Sequence, residues 1–387
     1  MKVIKLISKN VFRHKLRSIL TIFGIAVAVM AFGLLRTVVT AWNAGVDASS
    51  SSRLISRHAV SFIFPLPFSY RDQIQKVPGV TGVSFANWFG GKYKEDKPEN
   101  FFARFAVDAE TFMELYPEYL IPSDQLDRFK KEPNSCIIGK KIADQHNLKI
   151  GDIMTFTGDI YPGTWDFTIA GIYTGKDKYI DETQLFFPWS YLDERVKSIP
   201  GYGSGLVGWY IMQIDNPKSA SEVSQVIDGM YLNSTAKTKT ETEKAFQQSF
   251  VSLSGAILVS LQLISYVIIG IILLVLGNTM IMSARERIRE YAVLKTLGFT
   301  GTTIAILIIG ESLTISIAGG VLGLLLTFPL ANGFGNAFPT IFPVFQVLPS
   351  TIFMMVGFSL LVGLAASIFP SWKSSRISIV EGLRQIG

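Results

Sequence analysis

Apolar residues along this chain gather into four runs, 19–42, 255–282, 303–330 and 349–369. Each is long enough to cross a hydrocarbon core of about 30 Å, which takes about 20 helical residues. Between the first and second run, residues 43–250 return to the mixed pattern of a folded globular domain. The pattern predicts an α-helical membrane protein with four transmembrane helices and an α+β domain inserted between the first and second.

Inside that domain the periodicity changes along the chain. A β-like run at 59–64 is broken by Pro65 and Pro67; a helix at 69–77, a turn at Pro78-Gly79-Val80 and a strand at 81–85 follow. The same order returns near the end, as a strand at 209–214, a turn at Asp215-Asn216-Pro217 and a helix at 219–231. These two β/α segments (59–97 and 205–250) are expected to fold together, with 98–204 inserted between them. The inserted part reads as a helix at 138–146 and strands at 151–157, 165–173 and 184–187. Residues 235–254 read as a helix entering the second span with no breaker before Gly255, which would make a continuous lever.

At the N-terminus, residues 1–17 read as an amphipathic helix. Lys2, Lys5, Lys9 and Arg13 form a basic stripe and Ile4, Ile7 and Val11 an apolar one, suited to the headgroup plane of a bilayer. A simple flanking cluster of charge is the plainer alternative. Ala26-Val27-Ala28 loosely fits a signal-peptide cleavage site, but an h-region has about 7–15 residues and the apolar character here continues to Trp42. Arg36 can snorkel to the outer interface, where Trp42 suits the aromatic belt.

The formal charge of +6 conceals an asymmetry. Residues 43–250 hold 22 Lys/Arg against 26 Asp/Glu, a net of −4, while the remainder holds 14 against 4, a net of +10. A basic balance of this origin argues for membrane orientation and against nucleic-acid binding. The basic segments are the N-terminus, 284–301 and the tail, whereas 331–348 carries no charge. The positive-inside rule therefore predicts cytoplasmic termini, a cytoplasmic 284–301 loop and an extracytoplasmic 43–250 domain. The resulting division is 1–17 amphipathic helix, 18–42 first span, 43–250 outer domain, 251–283 second span, 284–301 cytoplasmic helix, 302–330 third span, 331–348 outer loop, 349–370 fourth span and 371–387 tail. Cys136 is the one cysteine, so no intrachain disulfide forms.

The cytoplasmic stretch 284–298 is short, charged and flanked by long apolar segments. Arg285, Glu286, Arg287, Arg289, Glu290 and Lys295 lie within it, and Glu286–Arg289 and Arg287–Glu290 are pairs at helical i,i+3 spacing. Ile288, Tyr291 and Ala292 add an apolar strip. Two readings fit: a positive-inside loop that only sets orientation, or a docking helix for a cytoplasmic partner. Glu311 lies about 12 Å into the third span, where an unpaired carboxylate costs about 2.5–3.5 kcal/mol. It is expected to face other helices or a wet cavity, with Ser312 and Thr314 as local partners, either as a proton or substrate contact or as a buried interhelical hydrogen bond. Gly319 and Gly323 form a GxxxG pattern that permits close helix approach.

Several chemistries are excluded. No GxxxxGK[S/T] phosphate cradle, GxSxG or HExxH occurs, and His14, His58 and His146 with a single cysteine assemble no metal-ligand spacing. The sequence contains no catalytic or metal site and is not expected to be an enzyme.

Asn10-Val-Phe-Arg-His-Lys-Leu-Arg-Ser-Ile-Leu-Thr-Ile-Phe-Gly24, Val77-Pro-Gly-Val-Thr-Gly-Val-Ser84, Ser283-Ala-Arg-Glu-Arg-Ile-Arg-Glu290 with Leu294-Lys-Thr-Leu-Gly298, Ile309-Gly-Glu-Ser-Leu313, and Phe369-Pro-Ser-Trp-Lys-Ser-Ser-Arg376 with Val380-Glu-Gly-Leu-Arg384 together resemble the MacB/LolC/FtsX-like permeases of mechanotransmission ABC systems. The resemblance implies a dimer with an identical or different permease subunit. It also implies a separate cytoplasmic ATPase subunit that holds ATP and Mg²⁺, with no cofactor in this chain, and it leaves room for an extracytoplasmic adaptor. Arg285, Glu286, Arg287, Arg289, Glu290, Leu294, Lys295, Leu297 and Gly298 would then form the coupling helix. ATP turnover would drive the outer domain, for export or release of lipoprotein, peptide or antibiotic-like substrates across the cell (inner or plasma) membrane. An FtsX-like regulator of a cell-wall enzyme, or a ligand sensor, is the alternative the resemblance carries.

Overall fold

The computed structural model describes residues 7, 10, 11, 13–95, 97, 100–177, 179–338, 342 and 344–380. Most of the amphipathic helix expected over 1–17, Arg384 and the end of the tail lie outside these residues.

Four helices, Lys15–Ala48, Gly255–Glu286, Gly301–Ala337 and Pro349–Ser375, carry the apolar runs. In hydrocarbon every backbone N–H must be paired, which helices achieve within themselves. Lipid supplies no hydrophobic force between such helices, so their association rests on close packing and hydrogen bonds. The third helix provides both. A methyl group added at Gly319 would lie 2.7 Å from the Ile25 side chain, and one at Gly323 would lie 2.6 Å from the Ala26 carbonyl oxygen, so the first and third helices meet backbone against backbone. Toward the fourth helix, Ser312 Oγ donates to the Gly363 carbonyl (2.6 Å), and Ser316 and Ser359 exchange bonds, each hydroxyl donating to the other's carbonyl at 2.5 and 2.7 Å. Ile25, Val29, Leu276, Ile304, Met355 and Val362 fill the interior of the bundle.

The second unit is the α+β domain. Its strands are β1 (Arg53–His58), β2 (Leu66–Pro67), β3 (Val80–Trp88), β4 (Gly91–Tyr93), β5 (Ala103–Val107), β6 (Tyr119–Leu120), β7 (Ser135–Gly139), β8 (Ile153–Gly158), β9 (Gly163–Gly175), β10 (Gln184–Pro188), β11 (Leu206–Val207), β12 (Trp209–Ile214) and β13 (Thr238–Thr242). One mixed sheet runs β13-β1-β12-β3-β5-β10-β7-β9-β8-β4, with β6 added to β9. Strands from the start of the domain, β1 and β3, flank β12 from its end, antiparallel on both sides. The pairing of β3 with β5, Ala86 opposite Val107, joins these strands to those of 98–204.

Period-two alternation builds a core on each face. Leu54, Tyr210 and Met212 turn to one side, where Ile74, Val223 and Ile227 of helices Tyr70–Ile74 and Ala220–Met230 cover them. Their neighbours Ile55, Trp209 and Ile211 turn to the other and pack with Phe112, Phe129 and Phe186. Phe156, Trp165, Phe167 and Phe187 of the inserted part make an aromatic cluster with Phe89.

Three sequence expectations change. The strand expected at 59–64 is β1, at Arg53–His58, and Val60 and Ile63 are 75% and 88% exposed in the turn beyond it. Arg53 and Arg57 disguised the strand, since an arginine is not expected on a buried face. The helix expected at 138–146 begins at Lys140, after the fully buried strand β7; burial of both faces removes the alternation that marks a strand. Within 235–254, Thr238–Thr242 forms β13 against β1, and helix Glu243–Leu253 starts only where the Thr242 side chain accepts from the Ala245 N–H. Ser254, at φ −97° and ψ 9°, then separates this helix from Gly255–Glu286, so the expected continuous lever is two helices.

Arg53 is the charged anchor of the domain. It is 5% exposed, and its guanidinium donates to Glu243 (2.9 Å), Glu118 (2.5 and 3.1 Å) and the Leu115 carbonyl (2.9 Å) while lying 4.2 Å over the Tyr116 ring. Burial opposes its charge, but the bond to Glu118 and the Glu243 charge outweigh it and hold the guanidinium above its ordinary value. Glu243 Oε2 also accepts from the Ser50 N–H at 2.8 Å. The strand that follows the first helix and the helix that precedes the second span are thus held by one cation.

Removing that cation strands two carboxylates. Arg53→Met is expected to cost about 3–5 kcal/mol, read as a lower unfolding midpoint of the purified protein, with partial recovery in Arg53→Lys; an unchanged midpoint would show the cluster to be dispensable. Gly323→Ala, which drives a methyl into the Ala26 carbonyl, is expected to cost about 1–3 kcal/mol. Gly333→Ala, with open space at its Cβ, serves as the neutral control in the same melt.

Candidate functional site

The helix Gly255–Glu286 ends as the chain leaves the apolar band. Arg287 steps out of helical geometry (φ −106°, ψ 12°) and precedes a second, short helix, Ile288–Thr296. That helix is closed by a Schellman turn: the Phe299 N–H donates to the Leu294 carbonyl and the Gly298 N–H to the Lys295 carbonyl, both at 3.1 Å. Gly298 sits at φ +91°, a conformation that glycine adopts without strain.

One side of this element is fastened by charge. Arg287 Nη1 donates to Glu311 Oε2 at 2.7 Å, and the two side chains are 5% and 7% exposed. Ser283 Oγ adds a 3.3 Å bond to Glu311 Oε1, and Arg287 Nη2 reaches the Asn10 carbonyl at 3.1 Å. Glu286 receives both Nη atoms of Arg17 at 2.7 and 2.8 Å and lies 3.8 Å from His14, while Glu290 pairs with Arg13. At the other end Lys295 Nζ donates to the carbonyls of Ser375 (2.8 Å) and Ile377 (2.6 Å), completing the C-terminus of the fourth helix. Tyr291 and Ala292 are buried beneath, and burial pushes the Tyr291 hydroxyl up to about 12.

The other side is free. Arg289 is exposed, as are Val293 (47%), Leu297 (70%) and Phe299 (46%), with Leu294 half-buried at the edge. Arg285 is exposed at the end of the second span. The i,i+3 pairs anticipated within the stretch do not form. The break at Arg287 takes Glu286 and Arg289 off a common helix face, and the two acids pair instead with Arg17 of the first helix and Arg13 just before it. Nor do Ser312 and Thr314 hold Glu311: their hydroxyls donate to the carbonyls of Gly363 and Gly310.

Sequence reasoning missed Ser283, Arg13 and Arg17 as partners, and Val293 and Phe299 as part of the exposed strip. A signal existed for the arginines. Arg13 and Arg17 are four apart, as are Glu286 and Glu290, an equal spacing of opposite charges in two segments that can lie side by side.

Four apolar helices, an α+β domain between the first two, and a short charged helix between the second and third define a MacB-type ABC permease. Residues 18–229 match the MacB-like periplasmic core domain and residues 262–379 the FtsX-like permease C-terminal domain. The chain belongs to this family of ABC transporter permeases and is a multi-pass membrane protein with an extracytoplasmic domain. Among its relatives, the uncharacterized ABC transporter permease MJ1507 of Methanocaldococcus jannaschii is 23% identical, covering 97% of this chain and 96% of the relative. The uncharacterized ABC transporter permease protein Rv0987 of Mycobacterium tuberculosis is 25% identical over 68% of this chain, and the match spans 30% of the relative's length. The macrolide export ATP-binding/permease protein MacB of Bdellovibrio bacteriovorus is 30% identical over 33% of this chain and 19% of its own length.

Breaking the buried pair from one side leaves a lone charge. Glu311→Gln is expected to lower the unfolding midpoint by an amount equivalent to about 3–5 kcal/mol, and Arg287→Leu with Glu311→Leu to recover most of that loss. Equal midpoints for Glu311→Gln and wild type would remove the pair from the account of how the short helix is held.

Proposed function

We propose that the chain is the permease subunit of an ABC complex in which a separate cytoplasmic ATPase, holding ATP and Mg²⁺, drives the extracytoplasmic domain. The permease works as a dimer in the cell membrane, with both termini and 284–301 in the cytoplasm and 43–250 outside, for export or release of lipoprotein, peptide or antibiotic-like substrates. The observation that carries the reading is the two-sidedness of Ile288–Thr296. Its inner face is fixed by Arg287–Glu311, Tyr291 and Lys295, while Arg289, Val293, Leu297 and Phe299 expose an apolar strip on a polar surface. A large apolar side chain left 70% exposed on an anchored helix fits the centre of a protein interface. Pushed by the ATPase, such a helix passes the displacement to the second and third spans directly.

Co-purification tests this. Arg289→Glu with Leu297→Asp is expected to reduce recovery of the ATPase at least about tenfold, equivalent to 1.4 kcal/mol or more, while the permease still extracts as a folded membrane protein. Wild type that recovers no ATPase, or a variant that recovers as much, would sink the proposal.

A further inference from the structure

A second feature lies on the flank of the short helix. A cavity of about 410 Å³ opens between the end of the second span and the end of the fourth, with Ile281, Phe369 and Pro370 as its apolar part. Arg285, Lys373 and Ser374 bring donors to it, and among the described residues none that lines it is acidic.

The charges here differ from those nearby. Arg13, Arg17, Arg287 and Lys295 each meet a carboxylate or a backbone carbonyl. Arg285 and Lys373 are exposed and, among the described residues, neither has a carboxylate within salt-bridge distance. Both lie in the last turn of a membrane-crossing helix, at the depth of the headgroups, with apolar Ile281 and half-exposed Phe369 on the hydrocarbon side. Trp372, 54% exposed and covered by Arg376 at 4.8 Å, marks the same interface.

From this we infer that the cavity binds an anionic phospholipid of the cytoplasmic leaflet. Its phosphate takes Arg285, Lys373 and the Ser374 hydroxyl, and its glycerol and upper acyl carbons take Ile281, Phe369 and Pro370. Two basic side chains over an apolar floor match a diester phosphate that carries hydrocarbon, and the volume suits a headgroup. A second copy of this surface is a poor occupant, because two-fold packing would set like charges against each other. A lipid seated here touches the ends of the helices on both sides of the coupling element, so the membrane's anionic content would set how firmly that element is held.

The test uses the full-length permease, titrated with phosphatidylglycerol or phosphatidylcholine and read by native mass spectrometry. Wild type is expected to retain one phosphatidylglycerol in preference to phosphatidylcholine. Arg285→Gln with Lys373→Gln is expected to weaken that binding about 30-fold, which is about 1 kcal/mol for each basic group. Arg289→Gln, on the exposed strip, and the swap Arg285→Lys with Lys373→Arg are expected to keep it; the swap guards against misreading a misfolded protein. Equal binding by wild type and the double glutamine variant overturns the inference. Displacement by inorganic phosphate at matched concentration also overturns it, since a free anion would then suffice. Retained lipid with loss of the ATPase in that variant overturns it in favour of a protein occupant.

Discussion

A carboxyl group sits where hydrocarbon should be, and the bundle is arranged so that it is never alone. Glu311 lies well inside the third helix, and Arg287 reaches it from the turn that follows the second, with Ser283 filling the second oxygen. Compared with two packed apolar side chains, such a pair adds little net stability, yet removing one partner is costly. Its consequence is therefore registry. Arg287 is buried against Glu311, and helix Ile288–Thr296 begins at the next residue. The remaining donor of Arg287 goes to the Asn10 carbonyl, so the entry to the first helix is fixed by the same residue.

The other ionic contacts around the short helix are of a different kind. Arg13–Glu290 and Arg17–Glu286 are about a third to a half exposed, where each pair is worth about 0–1 kcal/mol and is screened by salt. They orient the element but do not hold it against force. Lys295 serves differently, since its ammonium satisfies two carbonyls that the end of the fourth helix would otherwise leave open. Contacts from the N-terminal end of the first helix, from the third helix and from the end of the fourth thus hold the short helix and the turn before it, while its other side stays exposed. Deeper in the bundle, the contacts at Gly319 and Gly323 and the paired hydroxyls of Ser316 and Ser359 give the close packing that lipid cannot drive.

In the outer domain Arg53 plays a comparable part. It is a buried cation at the first strand, satisfied by Glu243 at the start of the helix that leads back toward the membrane. A guanidinium with its several donors in a fixed fork can meet Glu118, Glu243 and a carbonyl together, which an ammonium could not do with the same geometry.

By itself the sequence determined the four spans and the presence of the inserted domain, because hydrocarbon admits no unpaired polar backbone, and its charge imbalance predicts their orientation. It also marked Arg285–Gly298 as the charged stretch of interest and Glu311 as the anomalous carboxylate. The tertiary structure alone decided which charges meet. Arg287, Glu286 and Glu290 look alike in sequence, and the break in the helix at Arg287 sends the first inward and the other two to Arg17 and Arg13. The same holds for β1 and β7: a strand buried on both faces loses its alternation, and an arginine satisfied inside reads as a surface residue until its carboxylates, 65 and 190 positions away, are seen beside it. Contacts between residues so far apart leave no local pattern, since only the folded chain brings them within reach.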